Sequence, residues 1–158
     1  MIFYERTNRL TDLLMAKKLL DGLENFYPGF QFWFINKCMP GVLAGNDILV
    51  VAREHGQIVG VALAKKSKEE TKLRCVRVAP AYQNRGLAFH LIDMVLHDLD
   101  DDAPYVTVSE EMLHLYSRAF INRYHWRLDH VSKGHYRPRK LEYLFNMPGT
   151  HPVAESAL

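Results

Sequence analysis

The sequence predicts an α/β domain in which one mixed sheet carries helices on both faces. Three observations predict it. Apolar residues near the N-terminus recur at helical spacing. From residue 48 the period changes and Val, Ile and Leu run nearly without interruption, as in strands buried on both sides. From residue 87 onward, helical and strand patterns alternate. The chain has 158 residues, 48% hydrophobic and 24% charged, which fits one globular domain able to bury a core without staples. Residues 1–147 are read as that domain and 148–158, rich in Pro, Ala and small polar residues, as a loose tail.

The elements follow in order. "TNRLTDLLMAKKLLDGL" predicts a helix with Leu10, Leu13, Leu14, Ala16, Leu19 and Leu20 on its inner face and Thr7 or Asn8 at its start. "FYPGFQFWFINKCMPGVLAG" predicts a short second helix with irregular flanks, interrupted at Pro28 and Pro40. Strands are expected at Ile48–Arg53 and Gln57–Ala64, joined by a tight turn at His55-Gly56, and at Thr71–Val78. A helix follows with Leu87, Ala88, Leu91, Ile92, Val95, Leu96 and Leu99 inward. It ends in "DLDDDAP", whose aspartates suit positions beyond the negative helix terminus. A strand over 104–109, a helix over 110–124 and a closing antiparallel pair, "WRLDHV" and "KLEYLFNM", complete the order.

Bulk properties exclude several classes. Cys38 and Cys75 form no C-x-x-C spacing, so neither a disulfide framework nor a zinc site is expected. The charged N-terminus lacks the apolar run of a signal peptide, and no stretch reaches a membrane span, so a cytoplasmic protein without a membrane partner is expected. A net charge of +2 is too small to argue for nucleic acid.

The stretch "VRVAPAYQNRGLAFHL" carries the functional signal. A strand stops at Pro80, a polar turn with Arg85 and Gly86 follows, and a helix begins. Unpaired N–H groups and the helix dipole at such a start favour phosphate. An ordinary strand-to-helix connection reads the same way. The motifs G-x-x-x-x-G-K-[ST] and G-x-G-x-x-G are both missing, which argues against nucleotide triphosphatases and Rossmann sites. In its spacing of Val78, Pro80, Gln83, Gly86 and Ala88, between a strand and a helix, the stretch resembles the acyl-CoA-binding segment of the GNAT superfamily of N-acetyltransferases. The resemblance covers roughly residues 48–128.

That resemblance implies an acyltransferase using acetyl-CoA. The segment Gln83, Asn84, Arg85, Gly86, Leu87 and Ala88 would hold the pyrophosphate. Val76 and Val78, on the preceding strand, would border the pantetheine arm. The strand Tyr105–Val108 would splay away to open a cleft for the thioester. Asn84 stands where the family often has glycine, and asparagine tolerates left-handed geometry. Many relatives carry a tyrosine acid about seven residues after an asparagine near the end of that strand, with Gly-Phe following. Here Ser109 takes the asparagine place, which makes Tyr116 the acid. Counting back from His125-Trp126, in place of Gly-Phe, reaches Ile121 instead, so an irregular helix is expected. Tyr124 is the second candidate.

The base is left open among Glu110, Glu111, His114 and a water chain. Cys75 on the cofactor strand reads as a small buried hydrophobe rather than a nucleophile. The acceptor is an amine of unassigned class: small molecule, peptide or protein, or aminoacyl-tRNA. Arg137, Arg139, Lys140 and His135 form a basic hairpin that suits an anionic partner such as RNA or a solvated turn. Glu110, Glu111 and residues 98–102 offer acid for a cationic acceptor. A homodimer is open. The competing reading is a non-catalytic acyl-CoA-binding sensor on the same fold.

Overall fold

The structure, a computed structural model, describes residues 1–149; positions 150–158, most of the expected loose tail, lie outside the described residues. The chain opens with a strand that the sequence pattern did not reveal, β1 (Phe3–Thr7). Helix α1 (Leu10–Leu20) follows, then a 3₁₀ turn over Asp21–Asn25. The aromatic segment forms α2 (Phe30–Trp33), a π turn at Phe34–Cys38 and α3 (Met39–Leu43). Strands β2 (Asp47–Glu54), β3 (Gln57–Lys66) and β4 (Thr71–Val78) lead to α4 (Leu87–Leu99). β5 (Val106–Ser109), α5 (Leu113–Arg118), a π turn over Ala119–Arg123, β6 (Leu128–Lys133) and β7 (Leu141–Phe145) complete it.

The strands form two antiparallel sheets, β1-β2-β3-β4 and β5-β7-β6, joined by one parallel bridge between Lys72 and Tyr105. That bridge makes the combined sheet mixed. Alternation along β2 and β3 sends Leu49, Val51, Val61 and Leu63 to one face, where they pack with Leu13, Leu20, Phe30 and Phe34 of the N-terminal helices. Ile48, Val50, Ala62 and Ala64 face α4 on the other side, with Leu91, Ile92 and Val95. The β2–β3 turn places His55 and Gly56 at φ 51 and 76, the left-handed pair that a two-residue hairpin turn requires.

Two expectations for α1 are corrected. Its buried face is narrower, because Leu10 and Leu14 are exposed. Neither Thr7 nor Asn8 is its cap: Arg9 holds that position without a side-chain cap bond. The Thr7 hydroxyl instead donates to buried Asp12 at 2.6 Å, and Asp12 also accepts from Arg9 and Arg53 at 2.9 and 2.8 Å. One buried carboxylate thus ties β1, α1 and β2 together, its burial offset by charged and hydroxyl donors.

Along β4 the register slips by one. Leu63 faces Cys75 and Ala64 faces Leu73, so Arg74 has no partner across the ladder and forms a β-bulge. Arg74 and Cys75 therefore follow one another on the face of the N-terminal helices: the Arg74 guanidinium lies over the Trp33 ring at 5.0 Å, and Cys75 packs in the cluster around Leu23 and Phe30.

Candidate active site

β4 and β5 touch at one end only. There the Leu73 N–H donates to the Tyr105 carbonyl and the Tyr105 N–H donates to the Thr71 carbonyl, both at 3.0 Å. Beyond that point β4 pairs with β3 and β5 pairs with β7. The opening between them is a narrow cleft of about 70 Å³, lined by Val76 and Arg77 on one side and Val108, Ser109 and Tyr116 on the other.

One mouth of the cleft leads to the start of α4. A groove of about 220 Å³ there is lined by Val78, Gln83, Asn84, Gly86, Leu87 and Ala88, with Arg77 and Tyr116 shared with the cleft. Gly86 is the N-cap at φ 83, and Asn84 is left-handed at φ 64. The first helical bond runs from the His90 N–H to the Gly86 carbonyl, so the N–H groups before it have no partner within the helix. A Cβ built on Gly86 meets nothing within 4 Å, leaving the backbone open to a close approach. Gln83 donates from Nε2 to the Val78 carbonyl at 3.0 Å and fixes the turn to the strand end. The structure brings together the predicted donor-site residues except Arg85, whose guanidinium sits at the rim over the Tyr82 ring at 5.4 Å.

The two tyrosine candidates separate in space. Tyr116 lines both the cleft and the groove, and its hydroxyl makes only a long bond, 3.4 Å, to the Val76 carbonyl. Burial raises its pKa, so the phenol keeps its proton at neutral pH. Tyr124 lines neither cavity, and its hydroxyl donates to Asp93 on α4 at 2.8 Å. The expected irregularity of the helix is the π turn after α5, which adds a residue to its turn. Trp126 fills the place beyond, buried on Phe120 at 4.7 Å. Ser109 Oγ is buried in the cleft wall without a hydrogen-bond partner. Burial pushes the Cys75 thiol up, which argues against a thiolate nucleophile.

The other mouth opens into a chamber of about 260 Å³ beneath the N-terminal helices. Tyr27, Phe30, Trp33 and Tyr136 wall it, with Lys72 and Arg74 the charged groups facing it. Tyr27, Cys75 and Thr107 line both chamber and cleft. Behind them lies Glu142 of β7, 3% exposed, accepting from the Tyr27 hydroxyl at 3.3 Å. Burial pushes its carboxyl up to about 7, against bonds from Thr107 and Tyr27 and the nearby charge of Arg137, all of which favour ionisation.

Sequence reasoning missed Glu142. The readable signal was a lone carboxylate inside the apolar strand "LEYLF", where an unpaired charge is costly. The bases considered from sequence are not brought to the cavities. Glu111 is held by Arg137 at 2.9 and 2.7 Å, Glu110 accepts from the Leu141 N–H at 2.9 Å, and His114 is exposed. The Arg137–Glu111 pair also neutralises part of the basic hairpin. The acidic run at 98–102 closes α4, with Asp98 and Asp101 engaged by Arg6 and Thr71, away from the chamber.

The family model "Acetyltransferase (GNAT) domain" matches residues 15–123. The chain belongs to the GNAT acetyltransferase family. It is therefore an acyltransferase. Solved structures of the family share its fold at low identity. A ribosomal-protein alanine N-acetyltransferase from Escherichia coli superposes with a TM-score of 0.69 at 16% identity, covering 97% of this chain and 99% of that one. A GNAT-family acetyltransferase from Bacillus cereus gives 0.68 at 15%, covering 96% and 99%. NAA60 of Arabidopsis thaliana, in complex with acetyl-CoA, gives 0.67 at 18%, covering 92% and 97%. No curated protein matches the chain by sequence. Among the described residues no helix is long and apolar enough to cross a membrane.

Proposed function

We propose that this enzyme transfers the acetyl group of acetyl-CoA to the primary amine of an acceptor by direct attack within a ternary complex. The observation that carries this reading is the cleft at the β4–β5 splay, which joins a phosphate-suited groove at α4 to a separate chamber. The pyrophosphate lies against the N–H groups following Gly86, with Arg85 at the rim adding charge. Val76 and Val78 border the pantetheine arm. The amine enters from the chamber. As its nitrogen attacks the thioester carbonyl, its proton passes to the Tyr27 hydroxyl while Tyr27 hands its own to Glu142. The C–S bond then breaks, and the departing thiolate takes the phenolic proton of Tyr116.

Free-thiol release from acetyl-CoA, followed across a panel of amines, peptides and charged tRNA, tests the reading. Turnover on at least one amine is expected. Tight acetyl-CoA binding without turnover on any would favour a sensor, and no binding would overturn both. Gly86→Val places a β-branched side chain at φ 83, so it is expected to cost about 1–3 kcal/mol of stability. It also obstructs the open approach, so KM for acetyl-CoA is expected to rise at least tenfold in steady-state assays. An unchanged KM would remove the close approach at Gly86.

A further inference from the structure

The chamber's charges are one-sided. Lys72 and Arg74 face it, and no carboxylate lines it. Among the described residues neither cation has a carboxylate within ion-pairing distance. Lys72 Nζ reaches only the Tyr136 hydroxyl at 3.5 Å and the Tyr105 ring at 5.0 Å. Arg74 stacks on Trp33, and its Nε is shielded from solvent without a hydrogen-bond partner. Asp47 acts on Arg74 only through space, and burial raises the Asp47 pKa, which weakens it as a counter-ion. Glu142 lies at the far wall behind Tyr27.

A shielded guanidinium nitrogen without a partner is costly and calls for an explanation. Stacking on an indole occupies the guanidinium's face and leaves its N–H edge free, the arrangement that takes a carboxylate in a planar fork. Arg74 is also the bulged residue of β4, and bulges re-aim side chains beside active sites. The remaining walls, Tyr27, Phe30, Trp33 and Tyr136, suit an apolar or aromatic body.

We infer that the acceptor is a small molecule carrying a carboxylate as well as the reacting amine, of the class of free apolar or aromatic amino acids. Arg74 and Lys72 hold its carboxylate, and its amine points to the cleft between Cys75 and Thr107. This inference rests on the acetyl-transfer reading and names the acceptor for the same site. Polycationic amines are disfavoured because two uncompensated cations meet them.

The test compares L-phenylalanine with L-phenylalaninamide, and spermidine with both, on wild type, Arg74→Gln and Arg74→Lys. Wild type is expected to turn over the acid at least tenfold better in kcat/KM than the amide and to leave spermidine unacetylated. Arg74→Gln is expected to bring the acid-to-amide ratio near one, chiefly through KM, and Arg74→Lys to restore part of it. Binding separates this inference from the reading beneath it. If nothing is acetylated, a thermal shift produced by L-phenylalanine but not its amide, and lost in Arg74→Gln, still supports the carboxylate site. Preference for the amide or spermidine, or acid and amide acting alike in both assays on wild type, overturns it.

Discussion

Glu142→Gln is expected to lower kcat by about 10²- to 10³-fold, within the range for a lost general base. The amide keeps the strand's shape and still accepts from Tyr27, but it cannot take a proton. In wild type the rate is expected to rise with pH through a pKa near 7, set by burial and moderated by Thr107, Tyr27 and Arg137, with Glu111 pushing the other way. In the variant that limb is expected to vanish. Stability offers a second readout. The folded pKa lies above that of an unfolded glutamate, so the contribution of the neutral carboxyl is complete below about pH 4 and lost as pH rises to 7. Relative to wild type, the glutamine variant should therefore gain about 3 kcal/mol between pH 4 and pH 8, measured by denaturant titration. A variant with wild-type kcat and an intact acid limb would exclude Glu142 from proton transfer.

Tyr116→Phe is the second large effect. The hydroxyl is the group that lines both the donor groove and the cleft, and its only protein bond is long. Removing it should leave the fold within about 1 kcal/mol of wild type, because a weak hydrogen bond is lost and the ring stays stacked on Phe120. Turnover should fall by about 10²-fold while acetyl-CoA affinity changes less than twofold. The loss should shrink with a thioester whose thiol is more acidic, since such a leaving group needs less help. Tyr124→Phe should leave kcat intact, because its hydroxyl is bound to Asp93 on α4. Equal turnover in Tyr116→Phe would remove the phenol from the mechanism.

The parts of the molecule legible in sequence are those set by local chemistry. The His55-Gly56 turn, the inner face of α4 and the left-handed Asn84 each follow from residues within a few positions. The parts that escaped depend on distant partners. β1 is a short, half-polar edge strand defined by its pairing with 49–53, so "FYERT" alone shows no strand pattern. The bulge at Arg74 exists only relative to β3. Glu142 becomes chemically notable once Tyr27, 115 residues away, is laid against it. The donor groove was readable because one continuous stretch builds it. The chamber was not, because its walls come from the N-terminal helices, β4, β5 and the closing hairpin.

The bulge in β4 has an arithmetic of its own. On either side of Arg74 the strand keeps strict odd-even parity. Leu73, Val76 and Val78 face α4, while Cys75 faces the N-terminal helices. Excising Arg74 would leave Leu73 and Cys75 as ordinary neighbours on opposite faces, and no core side chain would change sides. The sheet therefore has no need of this residue. It is a supernumerary position that displays a cation without disturbing the count.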